Sequence, residues 1–78
     1  MAKNVKIYST PTCPWCIRTK QFLKDNSIAF EDYDVGSDQI KADEMVAKSG
    51  QMGVPVLDIE GEIIVGFDKE RIKAALGL

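Results

Sequence analysis

"TCPWCIRTK", residues 12–20, contains both cysteines of the 78-residue chain. Their C-x-x-C spacing indicates both the local fold of this segment and the chemistry that it can carry out. Pro14 directly follows Cys13, and proline favours the first helical position because its missing N–H would have no partner there. The spacing therefore predicts that Cys13 is the N-cap of a helix that begins at Pro14 and carries Cys16 in its first turn. Such a pair can form a disulfide, contribute to a zinc site or carry out thiol–disulfide chemistry.

The start of this helix favours the ionised form of Cys13. An N-cap side chain accepts hydrogen bonds from the N–H groups of the second and third helical residues, here Trp15 and Cys16. The helix N-terminus also carries about half a positive charge. We therefore expect the pKa of Cys13 to lie below the ~8.5 of a free cysteine, which makes it the nucleophile. Cys16, three residues further on and in the apolar arc of the helix, is expected to be the shielded thiol that resolves a mixed disulfide.

Length and composition limit the possible functions. The length predicts a single domain, residues 1–78. The net charge of −2 and the lack of a basic run argue against nucleic-acid binding. The N-terminal residues do not resemble a signal peptide, and no apolar run reaches 18 residues, so we expect no membrane contact and a cytoplasmic location. In that compartment a disulfide is usually transient and catalytic.

Two other uses of the cysteine pair are less favoured. A structural Cys13–Cys16 disulfide closes a very short loop and so gains little stabilisation from chain entropy. Because the chain has no histidine, its two cysteines supply only half of a four-ligand zinc site, which carboxylates or a second copy would have to complete. A C-x-x-C next to a β-α-β pattern favours redox chemistry instead. We expect a monomer with no metal and no tightly bound cofactor.

The rest of the sequence predicts four strands and three helices in the order β-α-β-α-β-β-α. The strands are expected at residues 5–9, within 28–35, and on either side of a tight turn at Glu60-Gly61. The helices are expected from Pro14 to about Asp25, from a cap at Ser37 or Asp38 to about Ser49, and after a cap at Asp68. A strand–helix–strand unit implies a parallel pair and the hairpin an antiparallel one. The fold class is therefore α/β, with a four-stranded mixed sheet flanked by helices on both faces.

Apolar residues predict which face of each helix is buried. In the first helix Trp15, Cys16, Thr19, Phe22 and Leu23 fall in one arc, and Ile17 lies outside it. In the second helix Ile40, Val46 and Ala47 indicate one face, and Met45 points elsewhere. In the third helix Ile72, Ala75 and Leu76 share a face.

Three segments resemble the glutaredoxin family, and together they span nearly the whole chain. "CPWC", residues 13–16, resembles the family's dithiol motif, commonly C-P-Y-C. "GVPV", residues 53–56, resembles its Val-Pro segment, and "VGF" followed by "DKE" resembles the segment on the far side of its substrate groove. The resemblance implies a thioredoxin-like fold and a dithiol glutaredoxin. Such a protein reduces protein disulfides and glutathione mixed disulfides, with glutathione as co-substrate.

The resemblance also implies a glutathione groove. Val54 would bind the ligand's backbone, Pro55 would follow a cis peptide bond, and Gly66 would allow close approach of the ligand. Asp68 would cap a helix whose N–H groups could hold the γ-glutamyl carboxylate. The remaining residues implied in this groove are Pro14, Trp15 and Phe67. From the residues alone, Pro55 could equally begin a strand, Gly66 end one, and Trp15 pack in the core.

Three positions differ from the family pattern. Thr10 stands where glutaredoxins often have a lysine, Gly66-Phe67 replaces a Gly-Gly pair, and Lys69 lies near an expected acidic residue. These features resemble NrdH-type redoxins, which take electrons from thioredoxin reductase. A further alternative is a [2Fe–2S] carrier in which Cys13 of two chains and two glutathiones ligate the cluster. Cys16 and Pro14 argue against it, because both suit disulfide formation.

Overall fold

The computed structural model describes residues 4–78, so residues 1–3 of the predicted domain lie outside the described residues. The described elements follow the predicted order β-α-β-α-β-β-α. They are β1 (Val5–Ser9), α1 (Pro14–Asp25), β2 (Glu31–Asp34), α2 (Gln39–Ser49), β3 (Val56–Ile59), β4 (Glu62–Val65) and α3 (Lys69–Leu76). In the described part of the chain, no helix has both the length and the apolar character needed to cross a bilayer.

The four strands form one mixed sheet in the order β2-β1-β3-β4. β1 runs parallel to β2 and antiparallel to β3, and β3 runs antiparallel to β4. Between β3 and β4 the two turn residues, Glu60 and Gly61, have φ angles of 52° and 91°. A two-residue turn with positive φ at both positions matches the twist of the strands it joins. The sheet therefore confirms the predicted fold class.

Both faces of the sheet are covered by helices, as predicted. Strand side chains alternate between the two faces, so Ile7 and Tyr8 point in opposite directions. Ile7 belongs to the larger cluster, with Leu23 of α1 and Ile72 of α3. Tyr8 belongs to the smaller cluster, with Met45 of α2. The helix that carries the cysteines thus packs on the same face as α3.

The predicted apolar face of α2 is wrong. Met45 is the buried residue of this helix, whereas Ile40 is 78 % exposed and Val46 and Ala47 are also exposed. The side of α2 that faces the sheet is mostly polar: Lys41, Glu44, Met45 and Lys48 follow the i, i+3, i+4, i+7 spacing of one helix face. Because this face is mostly polar, the pattern of apolar residues in the sequence does not reveal it.

Polar contacts attach this face of α2 to the sheet. Tyr8 Oη donates to Glu44 Oε1 at 2.6 Å, and Lys48 Nζ donates to Asp58 Oδ2 at 2.7 Å and to Tyr8 Oη at 3.0 Å. Lys41 Nζ lies 3.2 Å from Glu44 Oε2. The hydrogen bond from Tyr8, followed by those from Lys41 and Lys48, lowers the pKa of Glu44 to about 2. The ionised carboxylate is therefore the form that the fold stabilises.

Replacing Glu44 should make the fold less stable and change how its stability depends on pH. Because the pKa of Glu44 is lowered on folding, its contribution is present above the ordinary value of 4.5 and is lost as pH falls towards about 2. We expect Glu44→Gln to reduce the free energy of unfolding at pH 7 by about 1 kcal/mol. The difference between variant and wild type should shrink between pH 5 and pH 2.

Urea unfolding at a series of pH values measures this difference. Asp43→Asn is the matched control, because Asp43 is on the same helix and, within residues 4–78, its carboxylate accepts a side-chain hydrogen bond only from Gln39. Equal losses at pH 7 and pH 2.5 for Glu44→Gln would contradict the prediction.

Candidate active site

Cys13 occupies the N-cap of α1, as the sequence predicts. Its backbone is extended, with φ −85° and ψ 115°, and Pro14 is the first helical residue. The Cys16 N–H donates to Cys13 Sγ at 3.4 Å. The first turn of α1 contains no acidic residue that would oppose a negative charge on this sulfur. Both cysteines are free thiols.

The surroundings of Cys13 favour its thiolate. Partial burial acts to raise its pKa, because it removes water from the charged form. Hydrogen bonds from the Cys16 thiol and from the backbone N–H groups of Cys16 and Trp15, together with the positive charge of Lys20, outweigh that effect. The pKa of Cys13 is therefore lowered, in the direction that the N-cap position predicts.

Cys16 has the opposite character. Its side chain is fully buried, and this burial, followed by its hydrogen bond to Cys13, raises the pKa of Cys16 to about 11. A backbone hydrogen bond from Thr10 and the charge of Lys20 act against this increase but do not cancel it. At neutral pH the pair therefore consists of a partly exposed thiol that ionises readily and a buried thiol that stays protonated.

A shallow groove of about 260 Å³ lies beside the start of α1. Five of the predicted site residues line it: Trp15, Val54, Pro55, Gly66 and Phe67. The Val54–Pro55 peptide bond is cis, as expected, and the Gly66 N–H donates to the Pro55 carbonyl at 2.8 Å. This hydrogen bond joins the segment before β3 to the segment after β4. Residues from three distant parts of the sequence thus form one surface, and Trp15 within it lies two residues after Cys13 in the first turn of α1.

Gly66 is required here by its backbone conformation. Its φ is +80°, a region that residues with a side chain rarely adopt, and a Cβ added there would meet no atom within 4 Å. Asp68 is not among the groove residues. It caps α3, accepting a hydrogen bond from the Arg71 N–H at 3.2 Å. Pro14 is also outside the groove lining and serves as the first residue of α1.

Lys20 is a residue near the thiols that the sequence reasoning did not single out. Its ammonium group lies 2.8 Å from Asp32 on β2, and Asp32 also accepts a hydrogen bond from Ser9 Oγ at 2.7 Å. The charge of Lys20 lowers the pKa of both cysteines. The sequence spacing indicates that Lys20 is near the thiols, since Lys20 lies one helical turn after Cys16 and therefore on the same side of α1.

The described residues contain no group of three or more histidine, cysteine, aspartate or glutamate side chains arranged to hold a metal ion. The chemistry that the arrangement can perform is that of its two thiols. A thiolate held at a helix N-terminus, with a second thiol one turn away, can attack a disulfide and then be released by its neighbour.

Comparison with known proteins identifies similarity to glutaredoxins, both in a family model and in individual relatives. The family model for glutaredoxin matches residues 5–64. An uncharacterised glutaredoxin-like 8.6 kDa protein in the rubredoxin operon of Clostridium pasteurianum is 54 % identical over 68 residues, covering 87 % of this chain and 91 % of that protein. Glutaredoxin 3 of Escherichia coli K12 is 35 % identical over 65 residues, covering 83 % of this chain and 78 % of that protein.

A solved structure supports the same fold. The glutaredoxin-like protein NrdH-redoxin from Escherichia coli superposes with a TM-score of 0.83, covering 91 % of this chain and 92 % of that one, at 24 % sequence identity. At this identity the similarity concerns the fold alone. Together with the family model and the two relatives, it shows that the chain belongs to the glutaredoxin family and is a glutaredoxin-like redox protein of thioredoxin-like fold.

Proposed function

We propose that this protein is a dithiol thiol–disulfide oxidoreductase that reduces protein disulfides and glutathione mixed disulfides, with glutathione as its reductant. The observation that carries the proposal is the contrast within the C-x-x-C pair. Cys13 is partly exposed with a lowered pKa, and Cys16 is buried with a pKa of about 11. One sulfur is suited to attack a substrate from solution, and the other can act only on a group already bound to Cys13.

In the first step the Cys13 thiolate attacks one sulfur of the substrate disulfide. A bond forms between that sulfur and Cys13 Sγ, and the substrate S–S bond breaks. The departing thiolate takes a proton from water. The protein and the substrate are then joined by a mixed disulfide, with no net change in the number of disulfide bonds.

In the second step Cys16 loses its proton to solvent or to the departing thiolate and attacks Cys13 Sγ. The mixed disulfide breaks, the second substrate thiol leaves, and a Cys13–Cys16 disulfide remains. Two electrons have passed from the dithiol to the substrate. Two glutathione molecules then restore the dithiol and become one glutathione disulfide.

The groove beside Cys13 suits a glutathionyl or peptidyl group. Trp15 and Phe67 give it apolar walls, and Val54 and Gly66 bring backbone close to its surface. In this proposal the Val54 backbone binds the ligand's cysteine residue, and the N-terminus of α3 after Asp68 faces the γ-glutamyl carboxylate. The protein would act as a monomer in the cytoplasm, where reduced glutathione is the main thiol.

A second candidate differs only in the source of electrons. In it the Cys13–Cys16 disulfide is reduced by thioredoxin reductase, as in NrdH-type redoxins. Thr10, Phe67 and Lys69, at which the chain differs from the glutaredoxin pattern, support this candidate. The thiol chemistry of Cys13 and Cys16 is the same in both.

The two cysteines should respond differently to replacement. Cys13→Ser should reduce turnover of both protein disulfides and glutathione mixed disulfides to background, because no other thiol is exposed. Cys16→Ser should retain deglutathionylation and lose the reduction of protein disulfides, since glutathione can release a glutathionyl group from Cys13. Measured rates with the two substrate types check this, and activity that survives Cys13→Ser would rule out the assigned roles.

The ionisation of Cys13 should appear in its rate of alkylation. The rate of iodoacetamide reaction follows the thiolate fraction, so we expect its midpoint at a lower pH than the ~8.5 of free cysteine. Lys20→Gln should move the midpoint to higher pH because it removes a positive charge that stabilises the thiolate. Lys24→Gln, a charge removed one turn further along α1, is the control and should leave it unchanged. Identical midpoints for the two variants would contradict the role of Lys20.

The electron donor can be identified with coupled assays. With a disulfide substrate present as electron acceptor, we expect NADPH oxidation with glutathione plus glutathione reductase, and none with thioredoxin reductase in place of both. The reverse result would favour the second candidate and exclude glutathione as the reductant. Cys13→Ser, run in both assays, controls for reactions that bypass the dithiol.

A further inference from the structure

The two helices that flank the candidate site are strongly basic. α1 and α3 pack on the same face of the sheet and together carry six lysine or arginine residues and two acidic ones. The chain as a whole has a net charge of −2. Positive charge is therefore concentrated on the layer that contains Cys13, in a protein that is acidic overall.

Two of these cations contact aromatic rings that line the groove or pack against its lining. Arg18 Cζ is 4.9 Å from the centre of the Trp15 ring, which lines the groove. Lys69 Nζ is 5.6 Å from the centre of the Phe22 ring. The Phe22 ring packs, at 5.9 Å between ring centres, against Phe67, which lines the groove. Contact with an aromatic ring limits where each long side chain can place its charge.

Within residues 4–78, neither Arg18 nor Lys69 forms an ion pair, whereas Lys20 is bound to Asp32. The acidic residue next to the groove lining, Asp68, is engaged with the backbone of its own helix. The two charges beside the groove are thus left to interact with a partner.

Apolar surface lies next to Arg18 on α1. The Trp15 and Ile17 side chains are each 54 % exposed, although both are large and apolar. An exposed aromatic group surrounded by charged side chains is typical of a protein-binding surface. The same turn of α1 carries Cys13 as its cap, so a partner that contacts this surface has its disulfide beside the nucleophile.

We propose that Arg18 and Lys69 select disulfide-bearing protein segments that have aspartate or glutamate beside the target cysteine. The inference rests on the proposed function, because it uses the same attack by Cys13, and it adds the kind of substrate that the site prefers. Charges at the edge of a binding surface act mainly by increasing the rate of encounter and by rejecting partners of like charge. Substrates with lysine beside the cysteine would accordingly react slowly.

The test uses peptides that differ only in the residues beside a single cysteine. Each peptide carries a neutral 2-mercaptoethanol group in disulfide linkage to that cysteine, and the flanking residues are glutamate, glutamine or lysine. The 78-residue protein is reduced in advance and freed of reductant. It is then mixed with each peptide, with the protein in molar excess. Quantifying the released peptide thiol in a single turnover removes any dependence on the electron donor.

We expect the glutamate peptide to react fastest and the lysine peptide slowest, with a difference of about two- to fivefold for each cation involved. The differences should decrease as salt is raised, because salt screens exposed charges. Arg18→Gln with Lys69→Gln should bring the glutamate-to-glutamine rate ratio close to one. The matched control is Lys24→Gln with Lys73→Gln, which removes two charges from the last turns of the same helices and should preserve the ratio.

The outcomes separate this inference from the function beneath it. If no peptide is reduced, the proposed thiol chemistry fails. If all three peptides are reduced at equal rates, or if the Arg18 and Lys69 double variant keeps the full preference, the chemistry stands and the proposed selectivity is overturned. A preference lost equally in both double variants would show that total charge matters and would overturn the specific roles of Arg18 and Lys69.

Discussion

The structure depends on how firmly the first turn of α1 is held beneath the Cys13 sulfur. Backbone N–H groups stabilise a thiolate only while they point at it, so the helix must not rotate or fray. Cys16, Thr19 and Leu23, spaced along one side of α1, are buried against the sheet and fix its orientation. Thr19 Oγ1 also donates to the Trp15 carbonyl at 2.7 Å, which adds a bond within the same turn. The hydrophobic core thus supports the reactive end of the helix directly.

The same geometry makes the pKa of Cys16 depend on the state of Cys13. Part of the increase in the pKa of Cys16 comes from its hydrogen bond to Cys13 and from the negative charge of the Cys13 thiolate. In the proposed mechanism, once Cys13 has formed a mixed disulfide, it carries no charge and no longer accepts that bond as a thiolate. The pKa of Cys16 should then fall, and Lys20 continues to favour its ionised form. Before the attack, burial and the neighbouring Cys13 thiolate both keep Cys16 protonated. In the proposed mechanism, the attack by Cys13 removes the effect of the thiolate, and only the effect of burial remains.

Features encoded by neighbouring residues could be predicted from the sequence, and features assembled from distant ones could not. The start of α1 at Pro14 and the turn at Glu60-Gly61 depend on local backbone chemistry, and both are as predicted. The buried face of α2 is not, because Glu44 and Lys48 attach it to the sheet through polar bonds that hydrophobicity does not reveal. The groove joins residues from α1, from the segment before β3 and from the segment after β4. Only the family resemblance indicated that these would meet.

Similar charged residues are used differently on the two sides of the sheet. Around α2, Lys48 and Glu44 are bonded to each other and to the strands, so their charges are largely satisfied within the protein. Around the groove, Arg18 and Lys69 contact aromatic rings. An exposed ion pair is worth only about 0 to 1 kcal/mol, so leaving these two cations without a carboxylate costs the fold little. Their fields, however, extend roughly 8 Å before salt screens them, and Arg18 lies 4.9 Å from the Trp15 ring that lines the groove. A small loss in stability can therefore become a measurable difference in which disulfides Cys13 encounters.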